Sequence, residues 1–187
     1  MGNCHKWLCT PKGSGFLHVR RDRRHLVEPL TISHGFSSTA DPHARFREQF
    51  DWQGTQDPTP WLCIPAALEF IGGMLPGGWA AVMERNRALA LRTREILIEV
   101  LGAGSVAADD NVTAMTTAKL PDSRMAGSGG FQDDPLMSEL YERFNVRAIV
   151  FPWPSHQARY VRVSSALYNS EEESRYFADA LRVLLQF

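Results

Sequence analysis

The run from Pro76 to Gly102 sets the strongest limit on the fold. Trp79, Val82, Met83, Leu89, Ile96, Leu97, Val100 and Leu101 recur along it at helical spacing. That periodicity predicts one long amphipathic helix with a single apolar stripe. It starts near Pro76-Gly77-Gly78, and Gly102 supplies its stop. Glu84, Arg85, Arg92, Glu95 and Glu99 fall on the other face, the usual composition of a solvated side.

Beyond Gly102 the pattern becomes strand, helix, strand, strand, helix. Residues 112–119 read as the first strand, and 121–134, with Gly127-Ser128-Gly129-Gly130, as a flexible loop. Leu136, Met137, Leu140, Tyr141 and Phe144 mark a helix. Residues 146–151, Val-Arg-Ala-Ile-Val-Phe, read as a buried strand and 158–164 as an alternating one. Ser170 and Glu173 spell a capping box ahead of a helix whose buried stripe is Tyr176, Phe177, Leu181, Leu184 and Leu185. The expected product is an α/β two-layer unit.

Ahead of the long helix the signals are weaker. Residues 15–20 read as a short strand. Arg20-Arg21-Asp22-Arg23-Arg24-His25 then makes a charged turn, read as a solvated corner, with a phosphate-binding patch as the sharper alternative. Residues 33–60 lack periodicity and are rich in Ser, Asp, Pro and Gly, as in a long loop or a set of short pieces. Thr59-Pro60 offers a helix cap with proline in the first turn, Ile64, Leu68 and Ile71 continue a stripe, and Gly72-Gly73 ends it. The break between the two helices is the expected domain boundary.

Charge and composition exclude several classes. With a net charge of −1, no global field draws the chain to nucleic acid or anionic lipid. Its longest apolar stretches fall short of a membrane span. No basic start followed by an apolar run marks a secretory signal. Three scattered cysteines, Cys4, Cys9 and Cys63, point to a reducing compartment, the cytoplasm by default. His34 and His43 are too far apart for one helical face, and Cys4, His5 and Cys9 lack a second ligand pair, so no metal site is expected. No Gly-x-Ser-x-Gly elbow is present for a serine hydrolase.

Three places could carry chemistry. The first is Lys6, between His5 and Trp7 and ahead of Pro11-Lys12-Gly13-Ser14-Gly15-Phe16-Leu17. Most lysines are solvated. Here Trp7 and Leu8 promise apolar cover, and loss of hydration would favour a neutral nucleophilic amine able to condense with an aldehyde. Gly13-Ser14-Gly15 is a weak phosphate signal, since Lys12 precedes the glycines instead of following them. The second is Trp52-Gln53-Gly54-Thr55-Gln56-Asp57, where Gly54 admits close approach and Thr55 offers two donors, although a plain Gly-Thr turn has the same spelling. The third is Arg162. Alternation places Tyr160, Arg162 and Ser164 on one strand face, and a guanidinium there suits a carboxylate, although an edge-strand arginine can equally face solvent. Tyr168-Asn169 reads as a site or as the approach to the last helix. The residues alone stop there.

Together, Asn3-Cys4-His5-Lys6-Trp7-Leu8, Pro11-Lys12-Gly13-Ser14-Gly15-Phe16-Leu17, Gly54-Thr55 and Arg162-Val163-Ser164 with Tyr168-Asn169 resemble the class V aminotransferases, within them the isopenicillin N epimerase-like branch. The lysine segment is the specific part. The resemblance implies the C-terminal part of a fold-type I enzyme that uses pyridoxal 5′-phosphate, with residues 1–75 the remainder of the cofactor-binding large domain and 76–187 the small domain. It implies that Lys6 forms the Schiff base with the cofactor and shuttles a proton at the substrate Cα. His5 would lie near the cofactor phosphate. Gly54 and Thr55 would reach the phosphate of the neighbouring subunit in a homodimer, and Arg162 would hold the α-carboxylate of an amino-acid substrate. The family's ring-stacking side chain and the acid that pairs with the pyridine nitrogen have no counterpart in residues 1–187. A cysteine desulfurase-like activity would need a nucleophilic cysteine ahead of Arg162, and residues 147–161 contain none. A non-catalytic remnant that only folds or dimerises is the reading from a different class.

Overall fold

A computed structural model describes residues 1–52, 54–122, 134–155 and 157–186. They divide into two compact units, Met1–Gly73 and Met74–Phe187.

The first unit begins with a minimal ribbon: β1 (Gly2–Asn3), the one-turn helix α1 (Cys4–Trp7) and β2 (Gly15–Phe16). The strands run antiparallel, with Gly2 opposite Phe16 and Asn3 opposite Gly15. The strand expected over 15–20 is thus only two residues long. The charged turn is a 3-10 helix, Arg21–Leu26. Helix α2 (Pro42–Asp51) occupies much of the segment expected to lack regular structure. Asp41 caps it by accepting from the His43 and Ala44 amides at 2.9 and 3.3 Å. Its apolar content is slight, Phe46 packing against Phe50 with tilted rings, 4.6 Å between centroids. Helix α3 (Thr59–Leu62) and helix α4 (Ile64–Gly72) replace the single helix expected there, divided at Cys63. Thr59 does not cap: the Asp57 carboxylate, two residues earlier, accepts from the Thr59 amide at 2.9 Å.

The second unit holds the principal core. Helix α5 (Gly78–Leu101) runs as the periodicity predicts, and the Gly102 amide donates to the Ile98 carbonyl at 2.9 Å. It is followed by β3 (Met115–Lys119), α6 (Pro135–Phe144), β4 (Ile149–Pro152), β5 (Arg159–Ser164) and α7 (Glu171–Leu185), the order read from sequence. The first strand is shorter than 112–119 because Asp109–Asn111 forms a 3-10 turn that leads into it. The loop expected over 121–134 lies mostly outside the described residues. The antiparallel sheet has the order β3-β5-β4, with Arg162 opposite Thr117 on one side and Ile149 on the other. Arg162 therefore sits on the central strand, not at an edge.

One face of this sheet buries Ala118, Val150 and Val161 against Ile96 and Leu97 of α5, Leu136 and Leu140 of α6, and Phe177 and Leu181 of α7. Burying each such Val, Leu, Ile or Phe contributes about 1.5–3 kcal/mol. Ser170 and Glu173 make the predicted capping box at α7. Two stripe positions differ from expectation. Met83 is exposed, as is Tyr176, whose hydroxyl donates to the Phe144 carbonyl at 3.0 Å while its ring packs edge-on against Phe144. Among the described residues no helix is long and apolar enough to cross a membrane.

Candidate functional site

In the first unit the lysine lies on α1, and its setting follows from helical geometry. Successive residues rotate by about 100°. Cys4, 2% exposed, faces inward, so Lys6 two positions later faces outward and is exposed. Its Nζ has no hydrogen-bond or ion-pair partner among the described residues. The expected cover from Trp7 does not form, since Trp7 is itself 41% exposed. What holds the amine is its backbone. The Cys4 amide donates to the Ser14 carbonyl at 3.1 Å, and the Leu8 amide to the Cys4 carbonyl at 3.1 Å. His5 Nδ1 lies 3.3 Å from the same Ser14 carbonyl, which fixes the ring beside the loop.

The loop from Thr10 to Ser14 is closed by a buried hydroxyl pair, Thr10 Oγ1 and Ser14 Oγ, 2.6 Å apart. Both hydroxyls also reach the Pro11 carbonyl, at 3.3 and 3.4 Å. A β-carbon built at Gly13 would lie 3.6 Å from Pro60 Cγ, so the buried proline of α3 rests on this loop. The signal for this closure was present in sequence as Thr10-Pro11-Lys12-Gly13-Ser14, but nothing local says that the two hydroxyls meet.

Gly54 and Thr55 also belong to the first unit. Gly54 has φ +119°, a conformation that side chains resist, and a β-carbon built there meets nothing within 4 Å. Thr55 is exposed. The turn thus presents open backbone and a free-standing hydroxyl. Asp57, just beyond, is held below the usual carboxylate range by its hydrogen bonds with Thr59.

Arg162 belongs to the second unit. It is half-buried on the sheet face opposite Val161 and has no hydrogen-bond or ion-pair partner among the described residues. It lines a groove of about 330 Å³ together with Arg147, Ile149, Ser164, Tyr168 and Asn169. Arg147 is turned onto the Tyr141 ring, 4.1 Å from its centroid. Asn169 is structural: its Oδ1 accepts from the Ala166 amide at 3.0 Å, and its Nδ2 donates to Glu173 at 3.1 Å. Tyr168, 77% exposed, remains at the groove.

Two residues assigned to a solvated face have other work. Arg85 donates to the carbonyls of Ala166 and Asn169 at 3.1 and 3.0 Å, clamping the turn after β5. Arg92 joins Glu171 of α7 at 3.1 Å, besides its local pair with Glu95. Arg94, which the periodicity did not single out, is buried and paired with Asp109 and the Ala107 carbonyl. Among the described residues no group of three His, Cys, Asp or Glu side chains could hold a metal ion.

No family model matches the chain. Curated relatives do. Over 194 residues it is 33% identical to isopenicillin N epimerase of Amycolatopsis lactamdurans, a match covering 98% of this chain and 46% of the relative. It is 31% identical to isopenicillin N epimerase of Streptomyces clavuligerus, over 98% of this chain and 46% of that protein. It is 24% identical to L-cysteine desulfhydrase of Arabidopsis thaliana, over 100% of this chain and 42% of that protein. The chain spans about half the length of the curated relatives it matches.

Proposed function

We propose that this chain, which belongs with the class V aminotransferase-like epimerases and desulfhydrases, supplies the lysine and carboxylate-binding parts of a pyridoxal 5′-phosphate-dependent enzyme acting on an amino acid. It corresponds in this reading to the C-terminal part of such an enzyme, with the large-domain remainder first and the small domain after it. The observation that carries the proposal is Lys6 itself: an exposed amine without a partner among the described residues, on a turn whose backbone is tied to a buried loop.

The residues present fit the aldehyde and phosphate ends of the cofactor. Lys6 provides an unencumbered nucleophile. His5 is held beside it, and the open space at Gly54, with the exposed Thr55 hydroxyl, leaves room for a phosphate to approach backbone. Lys6 and His5 would hold the group, and Gly54 and Thr55 the phosphate of the neighbouring subunit's group; when bound it serves as the electron sink for a carbanion at the substrate Cα.

The chain's own residues then have simple tasks. Lys6 Nζ, when neutral, accepts or returns the proton at Cα. Arg162, free of acids among the described residues, binds the α-carboxylate through paired N–H groups and so fixes the orientation of Cα. Epimerisation needs a proton delivered to either face of Cα, and the higher identity to the two epimerases supports that branch. Side-chain cleavage is the second reading, supported by the desulfhydrases at lower identity. The free thiols of Cys4, Cys9 and Cys63 support a cytoplasmic setting. Assembly as a homodimer is part of the same proposal.

The test is spectroscopic. Absorbance of the purified chain mixed with pyridoxal 5′-phosphate should depart from that of free cofactor, and Lys6→Ala should abolish the departure. A spectrum equal to that of free cofactor would leave a module that folds or dimerises without turnover.

A further inference from the structure

The basic run Arg20–His25 divides on folding into two sets. Arg20 Nε donates to Asp22 at 2.7 Å and Arg23 lies 3.6 Å from the same carboxylate, so these two arginines share one acid at the surface. Arg21 and Arg24 instead line a groove of about 520 Å³ with His25, His43 and Arg45, between the 3-10 helix Arg21–Leu26 and the first turns of α2. None of Arg21, Arg24 and Arg45 forms an ion pair with an acid among the described residues, and Asp41 is the nearby carboxylate that feels the charge of Arg21. Glu28 is the groove's one lining acid besides Asp22, which Arg20 already engages.

The hydrogen bonding sharpens the case. Arg21 Nε donates to His43 Nε2 at 2.9 Å. The other ring nitrogen, Nδ1, is buried and finds no partner among the described residues. Arg24 Nε and Arg45 Nε are likewise buried and without acceptors among the described residues. Arg24 is held over the Phe46 ring at 5.2 Å, and Arg45 donates to the Phe36 carbonyl at 3.0 Å, so both are anchored at one side only. Unsatisfied buried donors are costly and rare. The donors of His43 and of two of the three arginines, Arg24 and Arg45, together describe a site short of acceptors among the described residues.

We infer that this groove binds a phosphate group. A carboxylate is satisfied by one bidentate arginine, whereas three guanidiniums and an imidazole N–H match the larger set of acceptors and the double charge of a phosphate. None of these residues belongs to the lysine loop, the Gly54–Thr55 turn or Arg162, so the inference stands apart from the proposed amino-acid chemistry.

Calorimetric titration of the full chain with inorganic phosphate at fixed ionic strength should give saturable binding. Arg24→Gln and Arg45→Gln should each weaken it about tenfold, and Lys119→Gln, on β3 of the second unit, should leave it unchanged. Should either arginine variant fail to fold, Glu28→Gln carries the test. It removes the groove's acid, which makes no hydrogen bond or ion pair among the described residues, and should tighten phosphate about threefold. A parallel titration with phenyl phosphate separates the sources: equal or tighter binding assigns the groove to an organic phosphomonoester, and binding of the free ion alone assigns it to inorganic phosphate. No saturable binding, or an affinity untouched by Arg24→Gln, Arg45→Gln and Glu28→Gln alike, would overturn the inference.

Discussion

Thr10 Oγ1 and Ser14 Oγ meet at 2.6 Å in the buried neck of the loop that follows the lysine helix. The contact explains how an exposed side chain such as Lys6 can still be held in place: its anchoring is in the backbone on either side of the hydroxyl pair. Ser14→Ala leaves Thr10 with only the Pro11 carbonyl at 3.3 Å. The expected cost is about 1 kcal/mol. Urea unfolding of Ser14→Ala, Thr10→Val and the double variant should give a coupling energy clearly different from zero; strictly additive losses would show that the pair does not act as a unit.

Arg85 is the equivalent fastening in the second unit. Its two bonds to the Ala166 and Asn169 carbonyls hold the turn that leads from β5, the strand of Arg162, into α7. Arg85→Ala should cost about 1–2 kcal/mol, the range for a charged donor discounted for partial exposure. Amide exchange at Asn169, whose N–H donates to the Ala166 carbonyl at 3.0 Å, should accelerate. Protection equal to wild type at that amide would contradict the assignment.

Two glycines with positive φ should respond differently to alanine. At Gly35, φ +82°, the new β-carbon would lie 2.7 Å from the Gln49 amide nitrogen and 2.8 Å from the Glu48 carbonyl carbon. At Gly54 it would meet nothing within 4 Å. Gly54→Ala should therefore carry only backbone strain, about 1–2 kcal/mol. Gly35→Ala adds a backbone clash and should lose about 3 kcal/mol or more. Thermal unfolding of both variants checks the order, and a Gly54→Ala loss equal to that of Gly35→Ala would show that the Gly54 turn is crowded.

The first unit should weaken in acid. Asp41, accepting from two α2 amides, and Asp57, bonded to Thr59, are both held below the usual carboxylate range. A depressed folded-state pKa contributes stability that is complete above the unfolded carboxylate value and is lost as pH falls through the folded one. Unfolding midpoints should be level near neutrality and drop once pH passes below the ordinary carboxylate range. Asp41→Asn with Asp57→Asn should flatten that drop, because asparagine caps without titrating.

Arg162→Ala should weaken amino-acid binding by about 2–4 kcal/mol if the guanidinium holds the α-carboxylate. Equilibrium titration with the substrate amino acid measures it. Unaltered affinity would move the carboxylate contact to another residue, Arg147 in the same groove being the next to test.

Periodicity made the second unit legible. The stripe of α5, the capping box at Ser170 and Glu173, and the alternation around Val161 are local patterns that packing later reinforced. Helix α2 escaped because Phe46 and Phe50 are its main apolar residues. Asp41-Pro42, a cap followed by proline in the first turn, was the signal available. Arg85 and Arg94 were misread or passed over because their partners are carbonyls and an acid brought in by folding, some 81 positions away in the case of Ala166. At the lysine, composition correctly marked the segment but not the facing. The inward position belongs to Cys4, a fact set by two residues of helical rotation that neighbour identity does not encode.

The most direct measurement is to fix bound cofactor with borohydride and locate it by peptide mass spectrometry. The full chain, incubated with pyridoxal 5′-phosphate and reduced, should carry its pyridoxyl mass on the peptide containing Lys6 and lose it in Lys6→Ala. A label distributed among other lysines such as Lys12 and Lys119, or absent from Lys6, would contradict the account.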